Sequence, residues 1–435
     1  MRQQSRDHIG LAVTLTLLTA FTDSAALGQP PDAVIESIVS SSQFSEAVDF
    51  LGADHDRFVE DLIDLTEIPA PPFMEDERAE AYLSMLRAHG LSDVRMDAEG
   101  NVMGVRKGSS SGSILAVLAH LDTVFPEGTD VQVRREGTRL FAPGVGDDTR
   151  GLAMILAIIR ALDYVDIETE SDILFVGNVG EEGVGDLRGT KYLLMEGPYR
   201  DQIDQFITID GPGDTEGQWS IRNAGVGSIR YRVTFKGPGG HSFGDFGLVN
   251  PANAMAGAIT RLSEIPVPEE PKTTHNVGVV SGGTSVNSIP VEVAMEVDMR
   301  SESSSELDRL HEMFLASIHE AVETENAKAS TAEGAVEASP VMIGDRPVGE
   351  TPESSRIVQI TAAAVEAFGL RPVFRAGSTD ANIPMSLGIP AIGIGPGQVW
   401  RPHSLEEWTD VDPELTLQAE SIVLATLLGL AGVAD

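Results

Sequence analysis

The chain has 435 residues, with 30 Lys and Arg against 67 Asp and Glu, a formal net charge of −37. Hydrophobic residues at 42%, with 44 Gly and 24 Pro, exclude coiled-coil, collagen-like and wholly disordered chains, and the charge excludes a nucleic-acid partner by repelling phosphate backbones. Cys is absent, which rules out disulfide frameworks, thiolate metal sites and thiol nucleophiles, so any metal must be held by His and carboxylates.

Arg2 and Arg6 precede an apolar run from Ile9 to Ala20, and Ala26-Leu27-Gly28 follows with small residues at both ends. This reads as a signal peptide over residues 1–28, cleaved after Gly28. The run is too short and too Thr-rich for a stable membrane insertion. An exported protein, periplasmic or extracellular, is the expectation.

A helix is predicted over Ser45 to Thr66, ending at the breaker Ile68-Pro69-Ala70-Pro71-Pro72, and a second over Glu75 to His89. Strands follow at Asn101 to Val105 and Ser113 to Ala119. The second of these is apolar throughout, as a strand buried on both faces should be. Similar runs stand at Ile173 to Val179, Gln205 to Ile209 and Pro390 to Ile394. Helical stretches accompany them at Gly151 to Leu162, Leu187 to Glu196, Ala381 to Leu387 and Pro413 to Ala431. The fold class is α/β, with a mostly parallel central sheet and flanking helices. This domain is discontinuous, over 45–224 and 341–435.

The middle of the chain has another texture. Gly227 to Lys236, Thr274 to Val280, Val291 to Arg300 and Val336 to Ile343 read as strands, with helices at Pro251 to Ile265 and Glu306 to Thr324. That β-α-β-β-α-β order predicts an inserted ferredoxin-like α+β domain over 225–340. The length, beyond one ordinary core, agrees with an insertion.

Ligands of open parallel sheets bind beyond the carboxyl ends of the strands. His120-Leu121-Asp122 follows the first buried run, Gly180-Glu181-Glu182 the next, Asp210-Gly211 the third, and His403 comes after the fourth. Gly144-Val145-Gly146-Asp147-Asp148 precedes a helix between the first two. Singly, each has a plain structural reading as a turn, a helix cap or solvated surface. Together they gather two His and several carboxylates at one sheet edge. That donor set suits zinc, or less selectively cobalt or manganese. It exceeds what one zinc needs and fits a two-metal site. Asp122 is placed to accept the second N–H of His120 and fix its tautomer.

These segments resemble the co-catalytic zinc hydrolase family that includes peptidase T, carboxypeptidase G, carnosinase, aminoacylase, acetylornithine deacetylase and succinyl-diaminopimelate desuccinylase. The likeness rests on His-Leu-Asp-Thr-Val (120–124), Gly-Val-Gly-Asp-Asp (144–148), Gly-Glu-Glu-Gly (180–183), Ile-Asp-Gly (209–211) and Pro-His-Ser-Leu-Glu-Glu (402–407). It implies two Zn2+ per subunit, one on His120, Asp147 and Asp210, the other on Asp147, Glu182 and His403. Glu181 is then the general base for the metal-bridging water, and Asp122 supports catalysis. Thr149-Arg150 departs from the Lys-Gly common in the family, without loss of a ligand.

The resemblance extends to the insertion. His241, in Gly-Gly-His-Ser, looks like the residue that reaches a partner subunit's site, which makes the insertion a dimerisation domain and the active unit a homodimer. Asn287 and Arg300 resemble the family's substrate-holding pair, and Gly377, Ser378 and Thr379 its pocket-lining loop. Asp rather than Glu at position 210 resembles the aminopeptidase and dipeptidase branches. The expected function is a secreted di-zinc exopeptidase acting on short peptides. The alternative is an N-acyl-amino-acid deacylase or carboxypeptidase on the same fold. A catalytically dead binding protein would show damaged ligand positions, and none is visible. A zinc aminopeptidase without a lid is argued against by the insertion.

Overall fold

Seven residues from Ile114 to His120, all buried, form strand β3 at the middle of a ten-stranded sheet. The computed structural model describes residues 28–110, 112–212, 214–215 and 217–434, so all but the last residue of the leader expected over 1–28 lies outside the described residues. Strand β6 (Asp172–Asn178) lies on one side of β3 and β7 (Ile203–Ile209) on the other, with β18 (Ala391–Ile394) beyond β7. These four run parallel. The outer strands are mostly antiparallel. They comprise β1 (Ser92–Met96) and β2 (Val102–Arg106) at one edge, and β9 (Gln218–Gly225) and β16 (Gly349–Glu350) at the other. Strand β8 (Asp214–Thr215) pairs with β9 antiparallel and β17 (Arg371–Gly377) pairs with it in parallel. Because the chain leaves β3 for β6 on one side and later reaches β7 on the other, a crevice opens at the carboxyl ends of all three.

Alternation along β3 divides the core. Leu115, Val117 and Ala119 face a large apolar layer, built from α1 (Pro31–Val39), α2 (Ser42–Ala53), α3 (His55–Thr66), α4 (Asp76–Arg87), α5 (Thr149–Tyr164), α9 (Arg356–Ala367) and α11 (Pro413–Ala431). Ile114, Ala116 and Leu118 face a smaller layer that includes α6 (Arg188–Met195) and α10 (Asn382–Ser386). Among the described residues α11 alone is long and apolar enough to cross a bilayer, but it packs against α9, α1 and α2 inside the core. Asp412 caps it by accepting the N–H groups of Glu414 and Leu415, ahead of Pro413 at its first turn.

The helix expected over Ser45 to Thr66 is two helices. They part at Asp54, whose carboxylate accepts Arg160 Nε at 2.6 Å while Asp61 accepts Arg160 Nη1 at 2.7 Å. The break lets each short helix turn its own apolar side to α5 or α11. A second, four-stranded sheet was not expected. Strands β4 (Arg134–Glu136), β5 (Arg139–Phe141), β19 (Val399–Trp400) and β20 (Trp408–Asp410) are two or three residues each, too short for a periodic signal.

The remaining unit has its own core. Strands β10 (Gly227–Lys236), β12 (Thr273–Gly282), β14 (Glu292–Ser301) and β15 (Glu337–Arg346) form an antiparallel sheet in the order β12-β14-β10-β15. Val233, Phe235, Met295 and Met299 bury one face against α7 (Pro251–Ser263) and α8 (Ser304–Lys328), notably against Leu310 and Phe314. The other face carries cross-strand ion pairs, Arg230 with Asp298 at 2.9 Å and Arg232 with Glu296 at 2.6 Å. The paired strand β11 (Gly240–His241) and β13 (Ser288–Ile289) lie at a loop tip. The last strand, expected to end at Ile343, runs on to Arg346 and carries that residue to the crevice.

Candidate active site

His120 ends β3, Asp210 follows β7, and Glu181 and Glu182 follow β6 by way of Val179 and Gly180. Asp147 lies in the turn before α5. His120 Nε2 meets Asp147 Oδ1 at 3.0 Å, and His403 Nε2 meets Asp147 Oδ2 at 3.2 Å and Glu182 Oε1 at 2.8 Å. One carboxylate therefore faces both imidazoles, one oxygen each. The ligand atoms of His120, Asp147 and Asp210 lie within 4.8 Å of one another, as do those of Asp147, Glu182 and His403.

The electrostatics fit bound cations. Burial raises the Asp210 and Glu182 carboxyls, and the charge on Asp147 raises both further. Asp147 itself is lowered: burial opposes its charge, but hydrogen bonds from His120 and His403 outweigh it. His403 is pushed up to about 11 by the same Asp147 and Glu182 contacts. A mostly buried set of carboxylates with only two imidazoles is short of positive charge. Its nitrogen and oxygen donors suit a pair of divalent ions.

Surrounding groups hold the donors in place. Asp122 does not act as expected: the acceptor of His120 Nδ1–H is its main-chain carbonyl, at 2.9 Å, and its carboxylate is 3.6 Å away. Both carboxylate oxygens instead accept backbone N–H groups, from Glu181 at 2.9 Å and Glu182 at 2.7 Å. One residue thus orients the imidazole with its backbone and the glutamate loop with its side chain. Glu407, four residues after His403, accepts the N–H groups of Gly144, Gly146 and Asp147 at 3.0, 2.7 and 3.0 Å. It clasps the Asp147 turn to the His403 loop. Burial and the nearby Asp147 push its carboxyl up to about 7, against the pull of those three N–H groups.

Glu181 is buried, and that burial raises its carboxyl well above the ordinary range, with the Glu182 charge adding to the rise and Arg346 opposing it. Arg346 Nη1 donates to Glu181 Oε1 at 3.1 Å and to Ser378 Oγ at 3.2 Å, while Nη2 donates to the Glu181 carbonyl. The Arg346 contact comes from the end of β15 in the smaller unit.

A cleft of about 370 Å³ opens over this cluster. Ser378, Thr379 and Arg300 line it, with Arg300 Nε on Asp298 at 2.7 Å. Gly377 does not line it; its place in β17 leaves room for the Arg222 side chain, since a Cβ there would sit 2.8 Å from Arg222 Cδ. Asn287 and His241 are not in the lining either. They stand together at the exposed β11–β13 tip, where Ser242 N–H donates to the Asn287 carbonyl at 3.0 Å. The expected pair of Asn287 and Arg300 is therefore parted within one chain. His241 Nδ1 accepts the N–H groups of Phe243 and Gly244 at 3.2 Å each, which leaves its proton on Nε2.

Arg222, Arg230 and Arg346 also line the cleft and were missed by the sequence reading. Their one signal is that Arg makes up most of a small basic complement in so acidic a chain.

Residues 116–428 match the family model described as Peptidase family M20/M25/M40. The chain is 23% identical to carboxypeptidase G2 of Pseudomonas sp. (strain RS-16) over 309 residues, 68% of this chain and 69% of that one. It is 25% identical to a succinyl-diaminopimelate desuccinylase of Corynebacterium glutamicum over 359 residues, 80% of this chain and 90% of that one. Its fold is similar to that of aminopeptidase PepT from Bacillus cereus, with a TM-score of 0.68 at 20% identity, over 87% of this chain and 99% of that chain.

Proposed function

The chain belongs to peptidase family M20/M25/M40, and from that premise we propose that it is an exported di-zinc exopeptidase cleaving short peptides. The observation that carries the reading is Asp147, shared between two donor triads and facing one imidazole with each oxygen. Two zinc ions, held by His120, Asp147 and Asp210 and by Asp147, Glu182 and His403, would polarise the scissile carbonyl and acidify water.

The protein's own groups do the rest. Glu181 takes the proton from the attacking water and delivers it to the leaving amine. Its burial suits it to hold that proton between the two steps. Arg346 keeps Glu181 aimed and is a positioning residue. Arg300 seats a substrate carboxylate, for which a planar guanidinium fork is the apt partner. His241, exposed at a loop tip outside its own cleft, serves the site of a second copy, with the smaller unit as the dimer contact. Export rests on Arg2, Arg6, the apolar run to Ala20 and the small residues around Gly28.

The short Asp210 favours peptides, while the relative named as a desuccinylase keeps N-acyl-amino-acid hydrolysis as the second reading. The metal-free chain should be reloaded with Zn2+, Co2+ or Mn2+ and assayed on dipeptides, tripeptides and N-acyl amino acids. Dipeptide turnover that saturates at two ions per chain is expected. Faster cleavage of hippurate than of any peptide would move the assignment to a deacylase. Failure to cleave any amide with both ions bound would sink it.

A further inference from the structure

Four arginines line the cleft, and three of them meet a carboxylate directly. Arg346 is taken up by Glu181, and Arg230 and Arg300 share the single carboxylate of Asp298. Arg222 differs from all three. Its Nη1 donates to the main-chain carbonyl of Asp210 at 2.7 Å. Among the described residues no side-chain carboxylate lies within ion-pair distance of it, and neither Nε nor Nη2 has an acceptor. It nevertheless lines the cleft beside the metal-ligand cluster.

Its position is built. Arg222 projects from β9, and glycines clear its path. A Cβ on Gly211 would lie 2.2 Å from Arg222 Nη2, and one on Gly377 would lie 2.8 Å from Cδ. Gly211 stands at φ +74, where glycine is favoured in any case, but Gly377 carries no such backbone requirement. Room for the guanidinium explains why that strand ends in glycine. An arginine threaded to a substrate cleft, fixed by one N–H and left with others to donate, is a seat for an anion.

We infer that the substrate carries two carboxylates, one seated on Arg300 and a second taken by Arg222, so that this hydrolase selects a dicarboxylic substrate. The inference deepens the amide-hydrolase reading and rests on it. The second carboxylate belongs either to an acidic residue beside the scissile bond or to a dicarboxylic acyl group on its nitrogen. Arg222 is then a specificity-determining residue, since its half-buried guanidinium gains a charge-assisted pair with the acid that the neutral isostere cannot offer.

The metal-loaded full-length chain is assayed on three matched pairs: Ala-Glu with Ala-Gln, Glu-Ala with Gln-Ala, and N-succinyl-alanine with N-succinamoyl-alanine. The inference expects at least one pair in which the acid has the higher kcat/KM by on the order of 10–100-fold. Which pair shows it separates an acidic residue from a dicarboxylic acyl group. In Arg222→Gln the ratio for that pair should fall to about one, and Arg222→Lys should keep part of the preference. Equal kcat/KM within all three pairs overturns the inference. So does a preference that survives Arg222→Gln, or a loss that falls equally on acid and amide, which would mark Arg222 as a strut for Asp210. If no pair is cleaved, calorimetric titration decides the anion seat separately from the amide-hydrolase reading. Glutarate should bind the wild-type chain at least about 10-fold more tightly than its monoamide, and Arg222→Gln should erase the difference. Equal binding of the two by wild type overturns the seat.

Discussion

Glu181 stands outside the two donor triads that share Asp147, although its carboxylate also lies close to His120 and Glu182, and its loop is held by Asp122 and Arg346. Its expected work is proton transfer alone. Glu181→Gln should therefore lower kcat by about 10²–10⁴-fold, with two ions per chain still found by metal analysis. Near-normal turnover at full metal content would remove Glu181 from the mechanism. A second buried carboxyl belongs to none of the donor groups. Glu420, inside α11, is pushed up to about 8 by burial, although Arg150 pulls it down. Its ordinary value is 4.5, so between these limits the folded chain keeps a proton that the unfolded chain releases. Its contribution is complete below about pH 4.5 and is lost as pH rises through about 8. Wild type should lose stability relative to Glu420→Gln across that window, by up to about 1.4 kcal/mol per pH unit. Parallel melting curves for the two proteins from pH 5 to 8 would contradict it.

The helix that follows Asp147 meets the sheet with almost no clearance. A Cβ on Gly151, in the first turn of α5, would lie 2.4 Å from the Ile209 carbonyl and 2.5 Å from Asp148 Oδ1. Gly151→Ala must push α5 away from the end of β7, where Asp210 begins. A stability loss of about 1–3 kcal/mol is expected, with weaker metal binding. Calorimetric melting and metal titration together check it. His120, Glu182 and Asp210 were legible because they stand at the ends of apolar strands buried on both faces, and such runs are visible in the chain. Arg222 was not, because β9 mixes Ser220, Arg222 and Asn223 among its apolar positions and reads weakly. Arg346 closes an edge strand exposed along most of its length, so the periodicity fades before the residue is reached. Glu407 was visible as a motif letter, but its partners lie some 260 residues earlier in the chain. Only the folded contact reveals the clasp.

At the scale of the whole molecule the number of chains that make one site is set by where His241 acts. His241→Ala should lower kcat without metal loss if the histidine acts in a neighbour's cleft. Mixing it with Glu181→Gln then decides the arrangement, provided the subunits exchange. In a mixed dimer one site carries both defects and the other neither, so activity returns from two poor parents. Persistent inactivity after demonstrated exchange would place His241 in its own chain's site or in none. The two cores of each chain are themselves joined in a telling way. Among the described residues the chain passes between them twice, near Val226 and near Pro347, and Asn382 Nδ2 donates to both of those carbonyls, at 2.9 and 2.8 Å. A single amide thus ties both crossings together. Arg346 sits one residue from the second crossing with its guanidinium on Glu181, and the Ser378–Thr379 loop ends at the same asparagine. The contact that holds Glu181 and the amide that ties both crossings thus stand one residue apart in the chain, so the smaller core is fastened to the cleft at the place where the chain returns from it.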